Sequence, residues 1–216
     1  MAHIILIHGM KATAESWFDL PGKLSAAGHT VSAETLPGHK GGLAQYYTTM
    51  SNYTNSVMAQ MPSSGDVVLV GHSMGGFVAS RVAARKSSRI AKVIYISAML
   101  PGQSQSILKL MKTFGSSLND VEREFKRAGL SRKGPYLGTQ PLLPLSVPFA
   151  SNSGFRNIPK HYIHCDDDKI IPLAQQEEMV ASAKGAPVTT STLSSHHFPQ
   201  VAVPDDLAAA VLAAMP

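Results

Sequence analysis

The sequence is poor in cysteine and tryptophan, with one of each, and it has no long apolar run. A lone Cys165 excludes an internal disulfide, which fits a reducing compartment and a small, buried apolar side chain. No window approaches the roughly 18 uninterrupted apolar residues that a membrane span needs. The opening stretch MAHIILIHGM also lacks the basic region and the cleavage site of a signal peptide. We therefore expect a cytoplasmic protein with no membrane partner.

Charge is unevenly distributed along the chain. Residues 101–160 carry nine basic side chains against three acidic ones, and the remainder is close to neutral. The nine, called the basic cluster below, are Lys109, Lys112, Arg123, Lys126, Arg127, Arg132, Lys133, Arg156 and Lys160. Such a surface could steer an anionic substrate or contact nucleic acid. Because it has no interleaved aromatics and no nucleic-acid motif, we interpret it as a solvated face and expect no nucleic-acid partner.

Length and periodicity indicate a single α/β domain spanning residues 1–216. The chain has 216 residues, 44% of them hydrophobic, which is enough to bury one core. Short apolar runs alternate with segments of helical periodicity, a pattern typical of a doubly wound, mostly parallel sheet. About six strands are predicted: HIILIHG, HTVSAETLPGH, DVVLV, IAKVIYISAML, HYIHC and PVTTST.

Helical periodicity marks the segments between these strands. Residues 13–27 are predicted as one helix that stops at Gly28, and residues 43–61 as one amphipathic helix whose tyrosines face the core. Further helices are predicted after DVVLV, at residues 173–184, and from Pro204 onward. The last of these begins with a proline followed by two acids, which suits the positive end of a helix.

The alternation breaks between residues 101 and 155. Two helices are predicted there, around residues 106–114 and 119–128. The stretch GPYLGTQPLLPLSVP that follows contains four prolines, which exclude a long regular element. We interpret residues 101–155, called the cap segment below, as a small cap inserted over the sheet.

The stretch VVLVGHSMGGFVAS carries the spacing G-x-S-x-G, with Gly71, Ser73 and Gly75. A serine in a tight strand-to-helix turn needs neighbours without side chains two positions to either side, because a Cβ there would collide with main chain. An apolar strand precedes this motif and an Ala/Val-rich helix follows it, as such a turn requires. The pattern predicts that Ser73 is a nucleophile exposed at the carboxyl end of the sheet.

A serine hydroxyl becomes nucleophilic only when a base takes its proton and a third group orients that base. In a sheet of this type the acid and the histidine follow the serine, each in a loop after a later strand. The acids available after a strand are Asp166, Asp167 and Asp168, and the histidines beyond them are His196 and His197. Position in the chain leaves the choice within each group open.

With these motifs the chain resembles the α/β-hydrolases, and more narrowly the branch that contains plant methylesterases and hydroxynitrile lyases. The resemblance covers nearly the whole chain. It is carried by LIHG followed by Trp17, AAGHTVSAETLPGH, YTNSVM, VGHSMGG, CDDDKIIP, and a histidine seven residues before Pro204. The cap segment is shorter and richer in proline than the plant pattern. The resemblance implies a serine hydrolase with the α/β-hydrolase fold.

The resemblance also implies particular site residues. The family's D-K-x-I-P falls on Asp168, and the histidine seven residues before Pro204 is His197. Backbone N–H groups of Met10 and Met74 would bind the oxyanion. We expect His8 to form structural hydrogen bonds rather than act as a catalyst. Residues expected to line the substrate pocket are His8, Met10, Leu143 and Phe149.

The predicted activity is cleavage of small hydrophobic or aryl esters through an acyl-enzyme. A hydroxynitrile lyase of this branch would carry Lys after the triad His and Thr after the first His, where this chain has Phe198 and Gly9. A receptor-like binding protein with negligible turnover is the non-enzyme alternative. The apolar side chains of the cap segment favour a hydrophobic substrate, although many of them could simply pin the cap to the sheet. Whether the protein is a monomer or a homodimer stays open.

No cofactor is expected, and a metal site is not expected either. His161 and His164 lie three residues apart on a predicted strand, so their side chains face opposite sides of the sheet. Three adjacent aspartates cannot all converge on one ion. The chain lacks a second cluster that would complete a site.

Overall fold

A six-stranded parallel sheet forms the centre of the molecule in the computed structural model, which describes residues 1–130 and 134–216. The strands are β1 His3–Ile7, β2 Thr30–Ala33, β3 Val67–His72, β4 Ile90–Ile96, β5 Lys160–Cys165 and β6 Val188–Leu193. Their order is β2-β1-β3-β4-β5-β6, and each neighbouring pair is parallel. The predicted fold class, with its six strands, is confirmed. Because the winding direction reverses between β1 and β3, a crevice is expected beyond the carboxyl ends of those two strands.

Helices flank both faces of this sheet. They are α1 Leu20–Ala26, α2 Ala44–Tyr47, α3 Met50–Ala59, α4 Met74–Arg85, α5 Ile107–Phe114, α6 Leu118–Arg127, α7 Ser153–Asn157, α8 Leu173–Ser182, α9 Pro199–Ala202 and α10 Pro204–Ala213. Short 3₁₀ helices lie at Ala14–Trp17, Ser87–Arg89 and Leu143–Ser146. No helix among the described residues is both long enough and apolar enough to cross a bilayer.

The core consists of two apolar clusters separated by the sheet. Side chains of β1 alternate between them, with Ile5 and Ile7 in the larger cluster and Ile4 and Leu6 in the smaller one. The larger cluster lies under α3 and α4, and the smaller one under α1 and α10. Strands buried on both faces read as continuous apolar runs, which explains why HIILI and VVLV are apolar at nearly every position.

The helix predicted over residues 13–27 is interrupted. A 3₁₀ turn at Ala14–Trp17 ends at Phe18, whose φ of 48° lies in the left-handed region. The α-helix then begins at Leu20, with Pro21 in its first turn. A proline suits that position because its missing N–H has no acceptor there in any helix. The prediction of one continuous helix was therefore wrong.

The helix predicted over residues 43–61 is two helices. Thr48 ends the first helix and Thr49 caps α3, since the side chains of Thr49 and Asn52 each bind the other residue's main chain. This break changes the direction of the tyrosines. Tyr53 is buried as predicted, but Tyr46 and Tyr47 are 64% and 74% exposed, so their assignment to the core was wrong.

The cap segment leaves the sheet after β4 and returns before β5. Its two predicted helices correspond to α5 and α6, which begin at the serine caps Ser106 and Ser117. The proline-rich stretch after them contains only the short 3₁₀ helix Leu143–Ser146 as a regular helix. Near its start this stretch pairs with the chain after β1 through an antiparallel bridge between Leu137 and Ala12.

The basic cluster is not uniformly solvated. Arg127 pairs with Asp167, as expected of a surface charge. Lys160, in contrast, is only 2% exposed, and its ammonium donates to three main-chain carbonyls at the end of α7. Burial lowers the pKa of Lys160 to about 8. The solvated-face interpretation was therefore wrong for Lys160, and Arg132 and Lys133 lie outside the described residues.

Candidate active site

Ser73 occupies the turn between β3 and α4 in a left-handed conformation, with φ 54° and ψ −124°. Non-glycine residues rarely adopt such a conformation, and it persists only where the surroundings enforce it. The Ser73 N–H donates to the Ile96 carbonyl, and the Ser73 carbonyl accepts from Gly76 and Met99. These contacts fix the turn to β4 and to the start of α4, so that the serine side chain lies at the carboxyl end of the sheet.

The two glycines of the motif are required by contacts that the structure shows directly. A Cβ on Gly71 would lie 2.6 Å from the Gly75 carbonyl carbon. A Cβ on Gly75 would overlap the Ile7 carbonyl at the end of β1. The turn can therefore approach β1 closely only because neither position carries a side chain.

Ser73, His197 and Asp168 lie in one hydrogen-bonded chain. The Ser73 Oγ is 2.9 Å from His197 Nε2, and His197 Nδ1 is 2.6 Å from Asp168 Oδ2. All three residues are at most 3% exposed, so Ser73 lies at the carboxyl end of the sheet as predicted but is buried there rather than exposed. In the resting arrangement the serine hydroxyl donates to Nε2 while Nδ1–H donates to the carboxylate. This is the geometry in which a histidine can accept the serine proton.

Asp168 is held by more than its histidine. The main-chain N–H groups of Ile170 and Ile171 donate to its Oδ1, at 2.7 and 3.0 Å, and the Ser97 hydroxyl donates to its Oδ2. Burial alone would raise the pKa of this carboxyl, but His197 and the other donors outweigh it and hold the pKa below its usual range. Asp168 is therefore a carboxylate at neutral pH.

Ser97 is a site residue that sequence reasoning missed. It directly follows β4, is fully buried, and has a φ of 37° in the left-handed region. Its position just after a parallel strand was the available signal, because the carboxyl ends of such strands converge at one edge of the sheet. Nothing in the local letters SAML identifies it as a partner of Asp168, which lies 71 residues further along the chain.

The neighbouring acids and the neighbouring histidine have other partners. Asp167 is half exposed and pairs with Arg127 and with Lys169, and Asp166 accepts from the Ser195 N–H. The ring of His196 accepts from the Phe198 N–H through Nδ1. Of the five acids and histidines that the sequence left open, the structure brings Asp168 and His197 to Ser73.

The predicted oxyanion donors, Met10 and Met74, lie on the two segments nearest the serine. Met74 is the first residue of α4, and the N–H of a first helical residue has no acceptor within its own helix. Met10 lies in the loop after β1, and no hydrogen bond from its N–H is found among the described residues. Both side chains are buried.

Three buried histidines surround the site without touching the serine hydroxyl. His8 accepts from the Leu36 N–H at Nε2 and donates from Nδ1 to the Gly9 carbonyl, as expected of a structural residue. His72 lies 2.7 Å from the His197 carbonyl, and His39 lies 2.7 Å from the Tyr53 hydroxyl. Burial lowers the pKa values of His8, His39 and His72 to about 4, 2 and 3. All three are therefore neutral at physiological pH.

A cavity of about 760 Å³ lies between the cap segment and the chain around Lys11 and Gln45. Ser73, Asp168 and His197 are not among its lining residues, but two of those lining residues contact direct neighbours of the triad. Phe125 packs on Phe198, the residue after His197, and the Gln140 amide lies 3.9 Å from the sulfur of Met74. Most of the lining is apolar, with Leu118, Phe125, Leu130, Leu137, Leu142 and Leu143, while Lys11, Glu122 and Lys126 add charge.

The four residues expected to line the substrate pocket do not all line this cavity. Leu143 lines the cavity and is half exposed. His8, Met10 and Phe149 are not among its lining residues. Phe149 is buried between the rings of Phe77 and Phe155, where it pins the cap segment to α4.

His161 and His164 face opposite sides of β5, as their spacing predicts. The ring nitrogens of His161 lie within 3.0 Å of hydroxyls on β6, whereas His164 packs on the ring of Tyr162. Within residues 1–130 and 134–216, no group of three or more His, Cys, Asp and Glu side chains is arranged to hold a metal ion.

Known proteins share this architecture. A protein-family model described as the alpha/beta hydrolase family matches residues 4–210. A pyrethroid hydrolase from Sphingobium wenxiniae is 27% identical over 240 residues, covering 96% of this chain and 85% of that protein. Methylesterase 1 of Arabidopsis thaliana is 24% identical over 217 residues, which is 82% of each chain. A solved pyrethroid hydrolase from Sphingobium faniae superposes with a TM-score of 0.85 at 24% identity, covering 98% of this chain and 96% of that one.

Fold and site together define an α/β enzyme with a serine at the turn between a strand and a helix. Because the family model spans nearly the whole sequence, the chain belongs to the alpha/beta hydrolase family. The resemblance read from the sequence is confirmed at this level, and plant methylesterases are among the relatives. The superposed structure, below 25% identity, supports the fold alone.

Proposed function

We propose that this enzyme is a carboxylesterase that works through an acyl-enzyme on Ser73. Ser73 Oγ attacks the ester carbonyl while His197 Nε2 accepts its proton, and Asp168 stabilises the imidazolium that forms. The imidazolium then protonates the departing alcohol. Water, deprotonated by the same imidazole, releases the acid and restores the serine. The observation that carries the proposal is the chain of 2.9 and 2.6 Å contacts through His197.

We further propose that the N–H groups of Met10 and Met74 bind the oxyanion of the tetrahedral intermediate. Two features support this role. The first is that neither N–H has a hydrogen-bond partner within the described part of the chain. The second is that Met74 begins α4, where the helix dipole favours negative charge.

The substrate class follows from the cavity. We propose esters with a hydrophobic acyl or alcohol group, since six of the fourteen residues that line the cavity are leucine or phenylalanine. In this reading the cap segment covers the site and Leu143 contacts the substrate. The relatives' names, pyrethroid hydrolase and methylesterase, are both those of ester-cleaving enzymes. A small-molecule ester is therefore the proposed partner, and a reducing, cytoplasmic location is proposed on the free, buried Cys165.

The lyase alternative is not favoured. Gly9, where the lyase pattern has Thr, packs against the serine, and a Cβ there would lie 2.9 Å from the Cβ of Ser73. Phe198 occupies the position of the lyase Lys and is buried against Phe125. Neither position can supply the polar groups of the lyase pattern.

Hydrolysis of p-nitrophenyl acetate and butyrate tests the proposal. Ser73→Ala should lose about a thousandfold or more in kcat/KM, because a triad acts as a unit. Asp168→Asn should also be strongly impaired, whereas Asp167→Asn, which removes an exposed charge, should retain activity. If Ser73→Ala hydrolysed these esters as fast as wild type, the esterase assignment would be wrong. Tight ligand binding without turnover would favour the receptor-like alternative.

A further inference from the structure

The loop after β1, residues 10–13, is attached to the cap segment. The Gly138 N–H donates to the Lys11 carbonyl at 2.8 Å. The Thr13 N–H donates to the Tyr136 carbonyl at 3.1 Å. The proposed oxyanion donor Met10 is the first residue of this loop. The position of the donor therefore depends on the cap segment as well as on the sheet.

Lys11 links the position of Met10 to the cap segment. Its φ of 52° lies in the left-handed region, which a residue with a side chain adopts only when its surroundings enforce it. Residues of the cap segment bind the carbonyl, the ammonium group and the main-chain N–H of Lys11. Gly138 binds the carbonyl, Glu122 on α6 pairs with the ammonium, and Gln140 Oε1 accepts from the N–H at 3.2 Å.

Gln140 is the one of these three residues that also reaches the second proposed donor. Its Nε2 donates to the Pro141 carbonyl at 2.8 Å, which fixes the orientation of the amide. The same nitrogen lies 3.9 Å from the sulfur of Met74. The side chain is thus oriented on several sides while it lines the cavity.

The peptide on the other side of Met10 is fixed separately. His8 Nδ1 donates to the Gly9 carbonyl at 2.8 Å. In a trans peptide the carbonyl and the following N–H point in opposite directions, so this bond turns the Met10 N–H away from His8. The donor is therefore held by His8 through the preceding peptide and by Gln140 through the following one.

We propose that Gln140 is a positioning residue for the oxyanion site, holding the Met10 N–H in place through Lys11. The inference rests on the proposed function, since it needs a reaction that develops an oxyanion. Gln140 touches no reacting atom. A donor displaced from its position stabilises the tetrahedral intermediate less well while leaving binding of the ground-state ester unchanged.

Gln140→Leu, which removes both the acceptor and the donor, is the test variant. Gln140→Asn, one methylene too short to reach Lys11, is a second variant that keeps the amide. Gln103→Leu is the matched control, because Gln103 also binds a main-chain N–H of the cap segment, that of Ser151, but lies outside the cavity. The measurements are kcat and KM for p-nitrophenyl butyrate, inhibition by a trifluoromethyl ketone that forms an oxyanion-bearing adduct, and the melting temperature.

For both Gln140 variants we expect kcat and trifluoromethyl ketone affinity to fall together by roughly 10- to 100-fold, with KM within about twofold. Gln103→Leu should match wild type, and all melting temperatures should agree within about 2 °C. Unchanged kcat would overturn the inference. A raised KM with unchanged kcat and unchanged inhibition would also overturn it, because that result would mark Gln140 as a substrate contact. A loss of activity explained by unfolding would overturn it as well. If wild type itself forms no fluorophosphonate adduct on Ser73, the proposed function fails, and the inference fails with it.

Discussion

The Ser97 hydroxyl donates to Asp168 Oδ2, the same carboxylate oxygen that binds His197. Because this one oxygen binds both Ser97 and His197, the end of β4 is linked to the loop after β5. Residues that follow two different strands therefore orient the imidazole. The Ser97 hydroxyl also helps to keep the pKa of the Asp168 carboxyl below its usual range. The orienting carboxylate is therefore positioned from outside its own loop.

Ser97→Ala should reduce kcat/KM by about tenfold, the usual effect of one hydrogen bond to a charged group. Without this donor the pKa of the Asp168 carboxyl rises and the carboxylate stabilises the facing imidazolium more strongly, so activity should be lost at a higher pH on acidification. Ser104→Ala is the control, since Ser104 is also a left-handed serine but is exposed. A profile that does not move would show that Ser97 has no effect on the carboxylate.

Gly75→Ala should abolish soluble expression or activity, because its Cβ would overlap the Ile7 carbonyl and force the turn away from β1. Gly22→Ala, in α1 with open space around it, should be neutral or slightly stabilising. The measurement is urea unfolding together with ester hydrolysis. An active, stable Gly75→Ala protein would contradict the described turn.

Acid should destabilise the protein through its neutral histidines. His8, His39 and His72 have pKa values lowered by burial, so below about pH 6.5 the unfolded chain binds protons that the folded chain does not. Above that pH the histidines do not lower the free energy of unfolding. On acidification the free energy of unfolding falls, by roughly 2 kcal/mol per histidine between pH 7 and pH 5. Urea unfolding of wild type and of His39→Gln should show a flatter pH dependence for the variant. Parallel curves would contradict the assignment of His39 as neutral.

Leu143→Trp should narrow the cavity. We expect KM for p-nitrophenyl octanoate to rise severalfold, since a long acyl chain competes with the indole for space, while acetate hydrolysis changes little. Leu108→Trp is the matched control, because Leu108 is similarly exposed but lies outside the cavity lining. Equal effects of both variants on octanoate would exclude this cavity as the acyl site.

The six strands, the motif at Ser73 and the family could be predicted from the sequence because they depend on local patterns. An apolar strand followed by G-x-S-x-G determines its own turn, and D-K-x-I-P marks one aspartate among three. The family and the ester-hydrolase class read from these letters agree with the comparisons. The catalytic roles of Ser73, Asp168 and His197 stay predictions that the geometry supports.

Other features depend on tertiary contacts that no local pattern encodes. The break before α3, by contrast, is local, because Thr49 and Asn52 cap the helix from three residues apart, and the apolar periodicity of residues 43–61 hid this signal. Gln140 reaches Met74 across 66 positions of the chain. Lys160 looked like a surface charge because its letters do not reveal the three carbonyls that surround it. The contacts of Gln140 follow from how the cap segment folds back onto the loop after β1, whereas the carbonyls around Lys160 belong to residues just before it in the chain.

Covalent labelling measures directly whether Ser73 is an activated nucleophile. Wild-type protein is incubated with a fluorophosphonate probe, and the modified peptide is located by mass spectrometry, with Ser73→Ala and His197→Gln in parallel. We predict one adduct on Ser73, none on Ser73→Ala, and labelling slowed at least about a hundredfold in His197→Gln, which lacks the base. An unmodified Ser73 in folded wild-type protein, or labelling at the same rate without His197, would contradict this prediction.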